Sequence, residues 1–395
     1  MTDFDDPIRE NIGLAIDGGG VKGAMVAHGI IALEEKLGMQ GRPLIEHPHL
    51  RVMAGTSTGA LITGAIAAGM TGAEILQLYI DLGKVIFSKS ETLRPFGKQT
   101  PLLSAIRPPV KLVQAVKQIP VLGELFMYSL LPARYDWGPF TQAFSQVMAT
   151  QHKKGLLPSP NPTIKELGDW LRSKPNQATL IITTVEVMNR RTHFIKTTST
   201  EQFPEMQVID ALRASSCIPT MWYPVISAAM GETYGGQPRS LIDGGVGNFG
   251  NPALVAAWEL CNPRNKNLDK AQDAERQHDP QTVTIYSFGT GFVSEWAYWR
   301  KFGSPQGWWA LNWAGRSLDL FVDSTVREQS RDIVEQYRGI DLRRFQIALD
   351  APIAGDNFSL IPTVLQEKGK ILAERVRLNQ HARKGPQFDP EGIWH

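Results

Sequence analysis

Two cysteines among 395 residues are too few for a disulfide framework. A formal net charge of only +2, with 41 Lys and Arg against 39 Asp and Glu, removes the global basic signature of a nucleic-acid-binding chain. No apolar run reaches the roughly 20 residues that a membrane-spanning helix needs. The longest, Ala60 to Met70 and Ile119 to Leu131, stop well short. Met1 to Glu10 is acidic and lacks the apolar centre of a signal peptide, so the expectation is a cytoplasmic protein that meets membranes, if at all, from outside. No His/Asp/Glu cluster has metal-ligand spacing, and neither a metal nor another cofactor is expected. Internal repeats and low-complexity tracts are also missing. What is present is an ordinary globular composition, 42% hydrophobic and 9% aromatic, sufficient for a sizeable core.

Against that plain background stand three loops: Asp17-Gly-Gly-Gly-Val-Lys-Gly23, Gly55-Thr-Ser-Thr-Gly59 and Asp243-Gly-Gly245. Each follows a short apolar run that reads as a buried strand, Ile12 to Ile16, Leu50 to Ala54 and Leu241-Ile242. The first two loops open helix-like stretches, Ala24 to Leu37 and Ala60 to Met70. A serine between two glycines at a strand-to-helix corner is the nucleophile-elbow arrangement. A second glycine-rich corner can aim backbone N–H groups at the same point, as an oxyanion hole requires.

Other readings of these loops compete. Gly18, Gly20 and Gly23 satisfy the dinucleotide pattern G-x-G-x-x-G, but the next strand ends in Gly-Thr-Ser-Thr-Gly with no carboxylate for a ribose. A phosphate-cradling loop fails because Ala24 and Met25 stand where Lys and Ser/Thr belong. Ser57 as a helix cap and Asp243 as an Asx-turn residue are the plain structural alternatives. For a Ser–acid–His order, the histidines after Asp243 are His278, His381 and His395, and all three read as solvated surface positions. A Ser57–Asp243 dyad therefore fits better than a triad. A carboxylate with an ordinary pKa of about 3.9 is a weak base for a hydroxyl, so such a dyad needs burial and precise positioning.

Taken together and in this order, the three loops resemble the signatures of the patatin-like phospholipases. Further blocks resemble the family too: Ala211-Leu-Arg-Ala-Ser-Ser-Cys-Ile-Pro219, Asn251-Pro-Ala253 and Ser287-Phe-Gly-Thr-Gly291. Trp313 to Asp323 is similar to a helix of the potato-patatin branch, in a bacterial type of member. The resemblance implies a lipid acyl hydrolase with Ser57 as nucleophile, Asp243 as general base and an oxyanion hole at Gly18, Gly19 and Gly20. Asp17, Lys22, Gly23, Gly55, Gly59, Gly244 and Gly245 are implied as motif support. Lys22 stands where many members carry Arg, which weakens any role that needs a planar guanidinium.

Alternating strand and helix signals from Ile12 to Gly291 predict a three-layer α/β/α fold around a mostly parallel central sheet. Ala178 to Met188 and Thr192 to Thr197, joined by Asn189-Arg190-Arg191, predict a hairpin. The domain is expected over residues 8–380, with an inserted helical cap or lid at about 84–163 and a loose tail at 383–395. Lys84 to Arg134 carries eight basic residues against Glu91 and Glu124, interleaved with apolar ones, which suits either an anionic lipid surface or a packed cap with a solvated basic side. Trp296, Trp299, Trp308, Trp309 and Trp313 are half of the tryptophans, and the reading favoured for them is core or pocket wall. The expected partner is a phospholipid or another acyl ester, with no nucleic-acid polymer. The alternatives are an effector that a small-molecule activator switches on, and a lipid-binding or storage protein with a vestigial site.

Overall fold

In the computed structural model of the chain, residues 7–86, 135–198, 203–219, 221–227, 239–262, 276–293, 295–304, 306, 326, 329–330, 332–333 and 335–381 are described. Most of the basic segment, the tail from 382, and Trp308, Trp309 and Trp313 lie outside them, as does the stretch Trp313 to Asp323.

The sheet is built from short runs whose residues alternate between two cores, the period-2 geometry of a strand buried on both faces. In β1 (Asn11–Ile16), Ile12, Leu14 and Ile16 point to one core and Ala15 to the other. β2 (Leu50–Gly55), β3 (Thr179–Glu186) and β7 (Val283–Phe288) repeat the pattern. The first core is completed by α1 (Gly23–Lys36), α2 (Thr58–Ala67) and α9 (Gln366–Arg377). The second is closed by α7 (Ala253–Cys261) through Leu254, Val255 and Leu260. Helices on both faces of the sheet give the three layers expected.

The described part of the expected insertion belongs to the first core. Asp136 caps α4 (Trp137–Lys153), accepting the Gly138 N–H at 2.9 Å, and Trp137, Phe140, Phe144 and Met148 of that helix are buried. A Thr163–Glu166 capping box starts α5 (Ile164–Arg172). α3 (Gly72–Ile86) precedes the undescribed stretch 87–134.

Eight strands form the main sheet, in the order β5-β6-β3-β2-β1-β7-β9 with β4 on β3. β5 is Val225–Ser227, β6 Arg239–Asp243, β9 Asp341–Phe345, and β4 (Arg191–Lys196) is the second arm of the expected hairpin. Parallel pairing links β3, β2, β1, β7 and β9, and places Ile182, Gly55, Ile16, Phe288 and Phe345 in one row across five strands. Immediately past this row the chain enters Thr183, Thr56, Asp17 and Gly289, so the loops identified in the sequence leave the sheet at one level.

β3 explains why the acid loop joins them. Its residues Ile181 and Ile182 pair with both β2 and β4, and Thr184 to Glu186 pair with both β4 and β6. β2 and β6 therefore occupy the same edge of β3, one after the other, with Thr183 between them. β6 is antiparallel to β3, so its last residue, Asp243, opposite Thr184, faces the end of β2.

Candidate active site

Ser57 stands between β2 and α2 with φ 54° and ψ −123°, a left-handed-side backbone that a serine adopts only where its surroundings hold it. Two contacts do the holding. Its N–H donates to Ser215 Oγ at 2.9 Å, and the preceding Thr56 Oγ1 hydrogen-bonds Thr183 Oγ1 at 2.7 Å. Gly59 is required by close approach: a Cβ there would lie 2.0 Å from the Ile16 carbonyl oxygen, so β1 and the elbow touch without a side chain between them.

Asp243 is buried and closes β6. Its Oδ1 accepts the Gly245 N–H at 2.8 Å and its own N–H donates to Cys217 O at 3.0 Å. The Oδ1 contact is the Asx-turn weighed as the alternative role, and it fixes the carboxylate. Oδ2 is buried with no well-aligned donor. The Ser57 hydroxyl lies near enough to this carboxylate to lower its pKa. Burial dominates, and pushes the Asp243 carboxyl up to about 6, with the Ser57 hydroxyl and the Gly245 N–H opposing it. Ser215 and Cys217 sit at and just beyond the end of α6 (Val208–Ser215), so one short segment grips the backbone of both Ser57 and Asp243. Nothing in the residue types of Ala211 to Pro219 signals that grip beforehand.

The Asp17–Gly23 loop lies against the same corner. A Cβ on Gly18 would come within 3.2 Å of Ser57 Cβ. The Gly18 N–H, expected to face an oxyanion, instead donates to Gly250 O at 3.0 Å. Gly19 and Gly20 N–H have no acceptor among the described residues, and Gly20, at φ 60° and against the Gly355 carbonyl, occupies a backbone position only glycine takes easily. Thr58 N–H, first in α2, has no intrahelical acceptor, and Thr58 lines the same cavity as Gly20 and Ser57. Thr290 Oγ1 donates to Gly18 O at 2.6 Å, so the Ser287–Gly291 block pins the loop from behind. Lys22 is half-buried in the short turn Gly20–Lys22, and Gly23 begins α1 against Tyr79 and Thr58. Gly55 ends β2, and Gly244 packs against Thr183.

Asp17 is buried but differently served. Arg344 of β9 reaches it with both terminal nitrogens, and Arg344 Nη1 also donates to Ser287 Oγ at 2.8 Å. Burial pushes the Asp17 carboxyl up and the Arg344 guanidinium opposes it; the two-pronged geometry is that of an ionised carboxylate. The sequence offers no sign of this partner, 327 residues away.

A narrow cavity of about 60 Å³ opens beside Ser57. Its walls are Val21, Leu61, Trp137, Phe140, Ile218 and Trp222, with Gly20 and Thr58 at the Ser57 end. Trp137 and Trp222 stack at 4.2 Å, and Trp137 Nε1 donates to Tyr223 O at 2.8 Å, which fixes that wall.

Two expectations change. His278 and His381 are half-buried: His278 lies by Leu260, its pKa lowered by burial and then by Arg51 and Arg276, and His381 packs on Phe345. Neither contacts Ser57 or Asp243, and His395 lies outside the described residues. Trp296 and Trp299, read as core or pocket wall, are exposed instead, because they fall on the outer face of the short helix α8 (Glu295–Phe302).

Comparison with known proteins follows the same lines. No curated protein matches the chain. Among solved structures, VipD from Legionella pneumophila is 14% identical, aligned over 95% of this chain and 67% of its own with a TM-score of 0.40. ExoU, solved with SpcU from the type III secretion system of Pseudomonas aeruginosa, is 17% identical over 94% of this chain, with a TM-score of 0.39. The chain spans about half of ExoU, 52% of it. The family model for patatin-like phospholipase matches residues 14–257, more than half of the chain and all three loops. With the mixed, mostly parallel sheet and its two helical layers, that match places the chain in the patatin-like phospholipase family.

Proposed function

We propose that the protein is a serine acyl hydrolase of glycerophospholipids or related acyl esters, working through Ser57 and Asp243. The observation that carries the reading is the buried carboxylate of Asp243, with no cation beside it among the described residues, within reach of the Ser57 hydroxyl at the glycine corner. Ser57 Oγ attacks the ester carbonyl carbon as its proton passes to the Asp243 carboxylate. A pKa of about 6 makes that carboxylate a far better base near neutrality than an exposed aspartate. The tetrahedral oxyanion is held by N–H groups of Gly19, Gly20 and Thr58, with Gly18 acting as the residue that lets the loop approach Ser57. Collapse expels the alcohol, which takes the proton from Asp243. Water then attacks the acyl-enzyme, gives a proton to Asp243, and the fatty acid leaves as Ser57 recovers its hydrogen. The apolar walls around Trp137 and Trp222 suit an acyl chain.

The test is incubation with a mixed phospholipid extract and mass-spectrometric identification of released fatty acids and lysophospholipids. Wild-type protein is expected to release them, and folded Ser57→Ala protein to release none above background, since removal of a nucleophile typically lowers turnover by several decades. Comparable release by the two proteins would refute the mechanism.

A further inference from the structure

We propose that the carboxyl edge of the sheet is a docking face for an anionic lipid bilayer, formed by two separate apolar and basic patches that flank Ser57. The proposal rests on the lipid-hydrolase reading for its biological sense, but its geometry stands by itself.

The first patch is the β3–β4 tip with β5. β3 runs four residues past the row in which β2 ends, about 13 Å at strand rise, so the tip stands beyond the level of Ser57. Val187 N–H pairs with Ser240 O, and Ser240 is opposite Ile226, so Val187 and Ile226 share one face of the sheet across three strands. Ile226 is 68% exposed and Met188 75%. Arg190 and Arg191 follow at once, both exposed, and neither has an acidic partner among the described residues.

The second patch is α8. The chain leaves the carboxyl end of β7 at Phe288 and reaches α8 through the turn at Gly291 and the short strand β8 (Phe292–Val293). Trp296 and Trp299, three residues apart and so on one helical face, are 63% and 56% exposed. The Arg300 guanidinium lies 4.7 Å from the Trp296 ring, and Lys301 Nζ donates to Pro352 O at 2.7 Å. That carbonyl belongs to the loop whose Gly355 lines the Ser57 cavity, which ties α8 to the rim.

Across the sheet the β3–β4 tip lies on one side of β2, which Ser57 follows, and the second patch lies beyond β7 on the other; β6 and β5 continue the β2 edge of β3 past the end of β2. Exposed large apolar side chains next to arginines with no acidic partner among the described residues oppose water and favour a surface that is greasy below and negatively charged above. A protein partner would need a matching acidic groove at two places; a bilayer supplies both patches at once, and delivers substrate between them.

The test uses the full chain carrying Ser57→Ala, so that no vesicle is degraded, with co-sedimentation on phosphatidylcholine vesicles with and without phosphatidylserine across a salt series. Binding is expected to rise with phosphatidylserine and to fall as salt shortens the Debye length. Trp296→Ala with Trp299→Ala should lower partitioning about tenfold on either vesicle. Arg190→Glu with Arg191→Glu should lower it about tenfold or more on the anionic vesicle alone and flatten the salt dependence. Met188→Glu with Ile226→Glu gives a second apolar probe at mostly exposed side chains. With Ser57 restored, each pair should hydrolyse a soluble short-chain ester within about twofold of wild type. If the parent does not sediment with anionic vesicles, or if all three pairs bind as it does, the docking face is refuted. Should the binding pattern hold while wild-type protein cleaves no ester, the docking face is supported and the hydrolase reading fails.

Discussion

Asp17 and Asp243 are both buried aspartates that follow or end strands of one sheet, yet they have opposite surroundings. Asp17 is clasped by Arg344, which meets it with two parallel hydrogen bonds. Asp243 has backbone N–H contacts and a neighbouring hydroxyl, and no cation beside it among the described residues. The first arrangement fixes a charge for structural use, and the second leaves a proton site free to change. Burial alone therefore does not set what a carboxylate can do; the presence or absence of a counter-charge separates the two.

Substitution should separate the two. Asp243→Asn, which keeps the Gly245 contact, is expected to lower kcat/KM for an acyl ester by about 10³-fold, read in a fatty-acid release assay. Asp17→Asn should act on folding instead, because it leaves the Arg344 guanidinium buried and uncompensated, a loss of about 3–5 kcal/mol measurable by chemical denaturation. Adding Arg344→Gln to that variant should recover part of the loss.

Stability at neutral pH should shift in the opposite direction for Asp243→Asn. The folded-state pKa of about 6 lies above the ordinary 3.8, so the Asp243 contribution is fully present in acid and is lost as pH rises through 6. The Asn variant should thus equal the parent below pH ~4 and exceed it by on the order of 3 kcal/mol at pH ~7. Thermal melts across that range check the sign. Activity follows the other limb: kcat/KM for a soluble ester should fall as pH drops below about 6, since the base must be ionised. The smallest effect is expected from His278→Ala and His381→Ala, each within about twofold of wild-type turnover, because neither ring meets the Ser57 corner. A large loss in either would bring a histidine back into the chemistry.

Much of the fold was legible because its signals are local. The buried strands, the glycine corners and the hairpin each declare themselves within a dozen residues. Arg344 did not, because an arginine in a strand-like run looks the same whether it faces water or a carboxylate 327 positions away. The grip of Ser215 and Cys217 on the elbow and the acid loop was equally silent, since it uses one hydroxyl and one main-chain carbonyl of ordinary residues. Trp296 and Trp299 were misread for a related reason: composition says an indole is apolar, but only the packing of α8 decides which face turns outward.

Thr183 behaves as a ruler mark. Because β2 and β6 abut on one edge of β3, the gap between Ser57 and Asp243 is counted in residues of a third strand, and each residue is worth about 3.3 Å and a flip of face. Insertion or deletion at that mark would misplace Asp243 by more than any rotamer can recover. The cavity walls at Leu61, Trp137 and Trp222 carry no such constraint. Under the proposed mechanism, descendants of this chain can thus exchange one acyl group for another by altering those walls, while the reaction itself would be inherited whole or lost.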